Sequence, residues 1–147
     1  MELGSLLAPT TPAKPAPTHR RHLLDLDDWT AEELRALLDS AAHMYTALRY
    51  PEQRLDTLRG EVLVNLFYEN STRTRVSFEL AGKRLGADVT NITASASSVT
   101  KGESLIDTVR TLEALGAGIV VVRHSQAGAP DLIARHIAGS VINAGDG

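Results

Sequence analysis

Three observations predict an α/β fold built on a parallel sheet. Short apolar runs of strand length alternate with segments whose apolar residues recur at helical spacing. That alternation has the spacing of βαβ units, which place crossover helices over both faces of parallel strands. The polar residues best suited to hold a ligand all fall just after the apolar runs, and open parallel sheets bind ligands beyond the carboxyl ends of their strands. The expected architecture is three-layered, with about four parallel strands and helices on both faces.

The elements follow in order. Residues 1–20 hold Pro9, Pro12, Pro15 and Pro17 among Ala, Thr and Lys, a composition that cannot bury a core and is expected to form a disordered or extended tail. Residues 21–147 are expected to form the folded domain. Thr30 followed by Glu33 has the form of a capping box. Leu34, Leu37, Leu38, Ala41, Tyr45 and Leu48 then trace one face of a long helix that Pro51 ends. A charged connector closes at Gly60. Val62 to Phe67 reads as a buried strand, and Val76, Leu80 and Leu85 mark a helix over about 72–85, with Gly86 supplying its final turn. Asp88 to Ile92 forms a second strand. Residues 93–104 are small and polar. Leu105, Ile106, Val109, Leu112 and Leu115 mark another amphipathic helix, and Ile119 to Val122 is a third strand. Pro130 begins a helix whose inner side carries Leu132, Ile133, His136 and Ile137, and Val141 to Asn143 starts or completes a fourth strand.

Composition narrows the functional classes. The chain has 147 residues, 43% hydrophobic and 22% charged, with net charge −3. No global field draws nucleic acid or an anionic membrane, so an anion must be gathered locally. There is no cysteine, hence no disulfide or thiolate metal site, and no apolar run approaches the ~20 residues of a membrane span. No apolar signal core is present, and a cytoplasmic protein is expected. No strand is followed by a glycine-rich dinucleotide fingerprint or a Gly-Lys-Ser/Thr phosphate loop. No nucleotide cofactor and no metal are expected.

The chemistry concentrates in Tyr68-Glu-Asn-Ser-Thr-Arg-Thr-Arg-Val-Ser-Phe-Glu79. Ser71, Thr72, Arg73, Thr74 and Arg75 sit where a strand turns into a helix, so free N–H groups and the positive end of the helix dipole converge on them. A hydroxyl at such a place is ordinarily an N-cap. Two arginines in the first turn oppose the dipole, however, where a structural helix favours acids. That misfit points to an anion site, since guanidinium groups bind oxyanions with paired hydrogen bonds. Three further segments reach the same sheet edge: the 94–104 loop, Arg123 with His124, and residues 143–147. Together they indicate a small phosphate-bearing molecule.

Residues 67–79 resemble the carbamoyl-phosphate signature of the aspartate and ornithine transcarbamoylases. Lys101-Gly-Glu-Ser104 with Asp107-Thr108, Val122-Arg-His124 and Asn143-Ala-Gly-Asp-Gly147 are similar to the aspartate enzymes in particular. The resemblance covers residue 22 to the last. It implies a carbamoyl-phosphate-binding domain in which Ser71, Thr72, Arg73 and Thr74 hold the phosphate. Arg73 would also stabilise charge on the departing phosphate, while Thr74 and Arg123 approach the carbamoyl carbonyl. Ser97 and Lys101 match loop residues that reach a neighbouring subunit's site, which implies a homotrimer able to associate with regulatory or dihydroorotase subunits. The implied partners are carbamoyl phosphate and L-aspartate. Arg75 is expected to form a structural ion pair, His124 to support Arg123, and Glu69, Asn70 and Glu103 to brace the loops. Gly118 stands where the family has an acidic residue. The family continues past Gly145-Asp-Gly147 into a His-Pro-x-Gln segment and an aspartate-binding domain, so this chain is expected to be a truncated half, inactive alone. Two alternatives are an ornithine enzyme, disfavoured by Lys101 and the Arg123-His124 pair, and a non-catalytic anion-binding or trimer-forming relative.

Overall fold

The computed structural model describes residues 20–50, 52–93 and 104–147. Its elements are α1 (Ala31–Ala47), β1 (Val62–Phe67), α2 (Thr72–Arg84), β2 (Asp88–Thr93), α3 (Leu105–Ala114), β3 (Ala117–His124), α4 (Ala129–Ala134) and β4 (Ser140–Asp146). The four strands are parallel and lie in the order β2-β1-β3-β4. From β1 the chain winds outward to β2, then returns across β1 to form β3. The winding direction therefore reverses between β1 and β3, and an open α/β sheet places its ligand crevice at such a reversal.

Two apolar layers sandwich the sheet. Successive residues of β1 point to opposite faces. Val64 and Leu66 join Val109 and Leu112 of α3, Ile133 of α4, and Val120, Val122 and Val141. Leu63 and Phe67 lie on the other side with Ala87, Val121 and the half-buried Phe78 of α2. Burial on both sides explains why β1 reads as a continuous apolar run. Each fully buried aliphatic side chain contributes ~1.5–3 kcal/mol, so these two layers hold the sheet together. Asn65 breaks the run and is nonetheless completely buried.

Helix α1 begins as expected. Thr30 Oγ1 accepts from the Glu33 N–H, and Glu33 Oε2 accepts from the Thr30 N–H, an arrangement whose loss typically costs ~1 kcal/mol. Its apolar stripe is not buried: no residue of α1 is, and Leu38 and Tyr45 are 69% and 77% exposed. The helix is anchored at its start instead. Arg20 donates to both Asp28 and Glu33 and lies 4.9 Å from the centre of the Trp29 ring. Leu23 donates to Val141 O, and its own carbonyl accepts from Asn143, each at 2.8 Å. This segment thereby covers the open edge of β4.

Gly118 lies within β3, on a backbone that any residue could adopt. A Cβ there would come 2.5 Å from Glu61 Oε2, so an acidic side chain would meet a like charge. Among the described residues, no helix is long and apolar enough to cross a membrane.

Candidate functional site

Helices α1, α2 and α3 each start at a hydroxyl residue, and they use it differently. Thr30 caps α1, and Ser104 Oγ accepts from the Asp107 N–H to cap α3. Ser71 makes no capping bond to α2. Its hydroxyl donates to Thr74 Oγ1 at 2.9 Å instead, and the first turn of α2 contains no acid. The start of α2 is thus a positive helix end whose cap residue leaves the backbone donors available, the arrangement that accepts an external anion. Thr72 and Arg73 are exposed there, and Thr74 is half-buried.

A small recess opens beside this turn, lined by Phe67, Glu69, Asn70, Ser71, Thr72, Arg75 and Thr93. For Arg75 the expected ion pair is replaced by a hydrogen bond to Thr93 Oγ1 at 3.2 Å. Thr93 pairs with Phe67 at the end of β2, which brings its hydroxyl beside the first turns of α2.

Arg123 stands at the carboxyl end of β3, opposite Phe67 of β1. Its carbonyl accepts from the Tyr68 N–H at 2.9 Å, which joins the two strand ends. Its Nη1 donates to Ala144 O at 3.0 Å. Nε lies 3.5 Å from Glu69 Oε2, an ion pair without a hydrogen bond, so this buried donor has no hydrogen-bonding partner. A Cβ on Gly145 would overlap Nη1. The guanidinium is therefore held between Glu69 and the bare backbone of residues 144 and 145. His124 packs its ring against Tyr68 at 4.6 Å, and its Nδ1 accepts from the Gln126 N–H. Asp146 accepts from the Asn143 amide and the Gly128 N–H, and these bonds, with the nearby His124, hold its carboxyl below the usual range. The end of β4 is thus fastened to the loop that precedes α4.

The fold therefore gathers Ser71, Thr72, Arg73 and Thr74 on one helix start and sets Arg123 on the adjoining strand end. Ser97, Lys101 and Glu103 lie outside the described residues. Two features escaped the sequence reading. Glu69 is the partner of Arg123, which only the pairing of β1 beside β3 reveals, and Gly145 leaves the space that Arg123 fills.

Comparison with known proteins accounts for this arrangement. Residues 21–147 match the family described as aspartate/ornithine carbamoyltransferase, carbamoyl-P binding domain. The aspartate carbamoyltransferase catalytic subunit of Roseiflexus castenholzii is 61% identical over 128 residues, which are 87% of this chain and 40% of the relative. That of Chloroflexus aggregans is 57% identical, again over 87% of this chain and 42% of the relative. Among solved structures, aspartate transcarbamoylase from Trypanosoma cruzi in complex with carbamoyl phosphate superposes with a TM-score of 0.77 at 32% identity, covering 86% of this chain and 39% of that one. The catalytic subunit of M. jannaschii aspartate transcarbamoylase gives 0.78 at 44% identity, over 87% and 42%. The chain spans about two fifths of the length of these relatives. A parallel sheet in the order β2-β1-β3-β4, an uncapped helix start at its point of reversal, and a match over 127 residues place this chain in the aspartate/ornithine carbamoyltransferase family, through its carbamoyl-phosphate-binding domain.

Proposed function

We propose that residues 21–147 are the carbamoyl-phosphate-binding half of an aspartate carbamoyltransferase. The reaction transfers the carbamoyl group from carbamoyl phosphate to L-aspartate, giving N-carbamoyl-L-aspartate and phosphate, a step of pyrimidine synthesis in the cytoplasm. The observation that carries this reading is the start of α2: Ser71 leaves its helix uncapped, at the reversal point of the sheet, with Arg123 on the neighbouring strand. The aspartate enzyme is favoured over the ornithine enzyme by Lys101 and the Arg123-His124 pair, and relatives at 61% and 57% identity carry the aspartate name.

In this reading the phosphate rests on the N–H groups and hydroxyls of Ser71, Thr72 and Thr74, with Arg73 paired to its oxygens. Thr74 and Arg123 face the carbamoyl carbonyl. The amine of aspartate attacks the carbonyl carbon, a C–N bond forms, the nitrogen sheds a proton, and the C–O bond to phosphate breaks. Negative charge develops first on the carbonyl oxygen and then on the departing phosphate. Donors already fixed at those two places lower the barrier without a protein nucleophile. Aspartate is held by residues outside this chain. Ser97 and Lys101 serve the site of a neighbouring subunit in a homotrimer.

Replacing Arg73 tests the assignment. In the catalytically complete protein, Arg73→Ala is expected to lower turnover by ~10²–10³-fold with an unchanged melting temperature, because Arg73 is exposed. Near-wild-type turnover would refute the assignment.

A further inference from the structure

Helix α2 carries the proposed anion site, and its apolar anchorage to the sheet rests mainly on Gly82 and the half-buried Phe78. Of its residues only Gly82 is buried, and Val76 and Leu80 are 39% and 54% exposed. Gly82 rides directly on the sheet: a Cβ there would meet Val89 Cγ2 at 2.8 Å and Leu63 Cδ1 at 3.3 Å. That contact fixes how close the helix lies. It does not fix how far along the strands the helix sits.

A line of polar groups can supply that register. Asn65, fully buried in the middle of β1, donates through Nδ2 to Asn91 Oδ1 at 2.8 Å, directly across the parallel register. Asn91 Nδ2 donates to Glu79 Oε2 on α2 at 2.7 Å, and Glu79 Oε1 accepts from Lys83 at 2.5 Å. The bonds have a defined direction. A carboxylate only accepts, so Glu79 makes Asn91 present its NH₂ outward and its oxygen inward. Asn65 must then present its own NH₂, which leaves Asn65 Oδ1 buried without a partner. Burying an amide in this state is costly, and a leucine in β1 would avoid that cost.

A second connection lies one helical turn away, where Arg75 donates to Thr93 Oγ1. Asn91 and Thr93 are two residues apart on β2, a spacing of ~6.6 Å. Glu79 and Arg75 are four apart on α2, a spacing of ~6 Å. Sliding the helix by one residue rotates both side chains away from the sheet, and sliding it by a full turn breaks both pairings, setting Glu79 against Thr93 and Lys83 against Asn91, or Arg75 against Asn91. Only one register satisfies the two connections together.

We propose that Asn65, Asn91 and Glu79 are positioning residues that set the register of α2, and so the place of the Ser71–Thr74 turn relative to Arg123. The functional consequence rests on the reading of that turn as the carbamoyl-phosphate site. The test uses the 147-residue chain with two readouts, amide hydrogen exchange and titration with inorganic phosphate. Asn91→Leu and Glu79→Leu should speed exchange across residues 72–78 and weaken phosphate binding, each by about tenfold or more, the range for a hydrogen bond to a charged group. Exchange in β3 should stay as in the wild type, and in Glu79→Leu, which leaves the Asn65–Asn91 bond in place, so should exchange in β1. Glu79→Gln keeps an acceptor oxygen and should restore both readouts to within about threefold. Unchanged exchange at 72–78 in Glu79→Leu would overturn the proposal, as would Glu79→Gln behaving like Glu79→Leu. Loss of protection throughout the sheet in both leucine variants would also overturn it, by assigning the network to stability alone. If the wild-type chain takes up no phosphate, the anion-site reading fails, and the exchange comparison still decides the positioning role.

Discussion

Ser71 and Thr30 are chemically alike and stand in like positions, but Thr30 spends its oxygen on a helix cap and Ser71 does not. That contrast supports the proposed site at residues 71–74 more strongly than their identities do. Arg123 offers a second contrast. Its guanidinium lies against Gly145, whose φ of +126° suits glycine and whose missing Cβ leaves room for Nη1. Gly145→Ala should therefore displace Arg123 and strain the backbone at about 1–3 kcal/mol, seen as a lower melting temperature together with weaker phosphate binding by titration calorimetry. Unchanged binding would show that Arg123 does not depend on that space. The first contrast is partly legible in the sequence, because two arginines in a first turn conflict with the helix dipole. The second is not, since residues 123 and 145 meet only once β3 and β4 are paired. Asn65 is illegible for a similar reason. Inside an apolar run it looks like an imperfection, and its partner Asn91 is identified by strand register alone.

At the scale of elements, local signals are read well and distant ones are not. The capping box of α1 is a four-residue pattern and stands where its sequence places it. The Arg20 clamp on Glu33 and the pairing of Leu23 with β4 join residues far apart in the chain and leave no local mark. The strands also run beyond their apolar cores: β3 covers Ala117–His124 rather than 119–122, and β4 covers Ser140–Asp146 rather than 141–143. Their ends join the sheet across breaks in register, between Ala117 and Ile119 and between Val122 and His124, so composition alone assigns those ends to loops. The Arg20 clamp has a consequence that can be measured. Arg20, followed by the Thr30 N–H, holds the Glu33 carboxyl down to about 2 from its ordinary 4.5. A depressed carboxylate stabilises the fold fully above its ordinary value, and that contribution fades as the pH falls through the folded one. The Glu33 carboxyl carbon, followed by NMR, should titrate near pH 2, with the start of α1 loosening between about pH 4.5 and 2. A midpoint near 4.5 would show that Arg20 leaves the carboxylate in solution.

At the scale of the molecule, the order of strands turns separate motifs into one site. The Val-rich and Ile-rich runs specify strands but not their neighbours. The position of β1 between β2 and β3 sets the α2 turn beside Arg123, and handed crossover connections permit few other solutions. The central claim is that carbamoyl phosphate binds at this junction. Its most direct test is a crystal structure of the catalytically complete protein with carbamoyl phosphate. The phosphate should lie on the N–H groups of residues 71–74 and on Arg73, with the carbamoyl oxygen toward Arg123. A molecule bound elsewhere, with the start of α2 empty, would contradict the account.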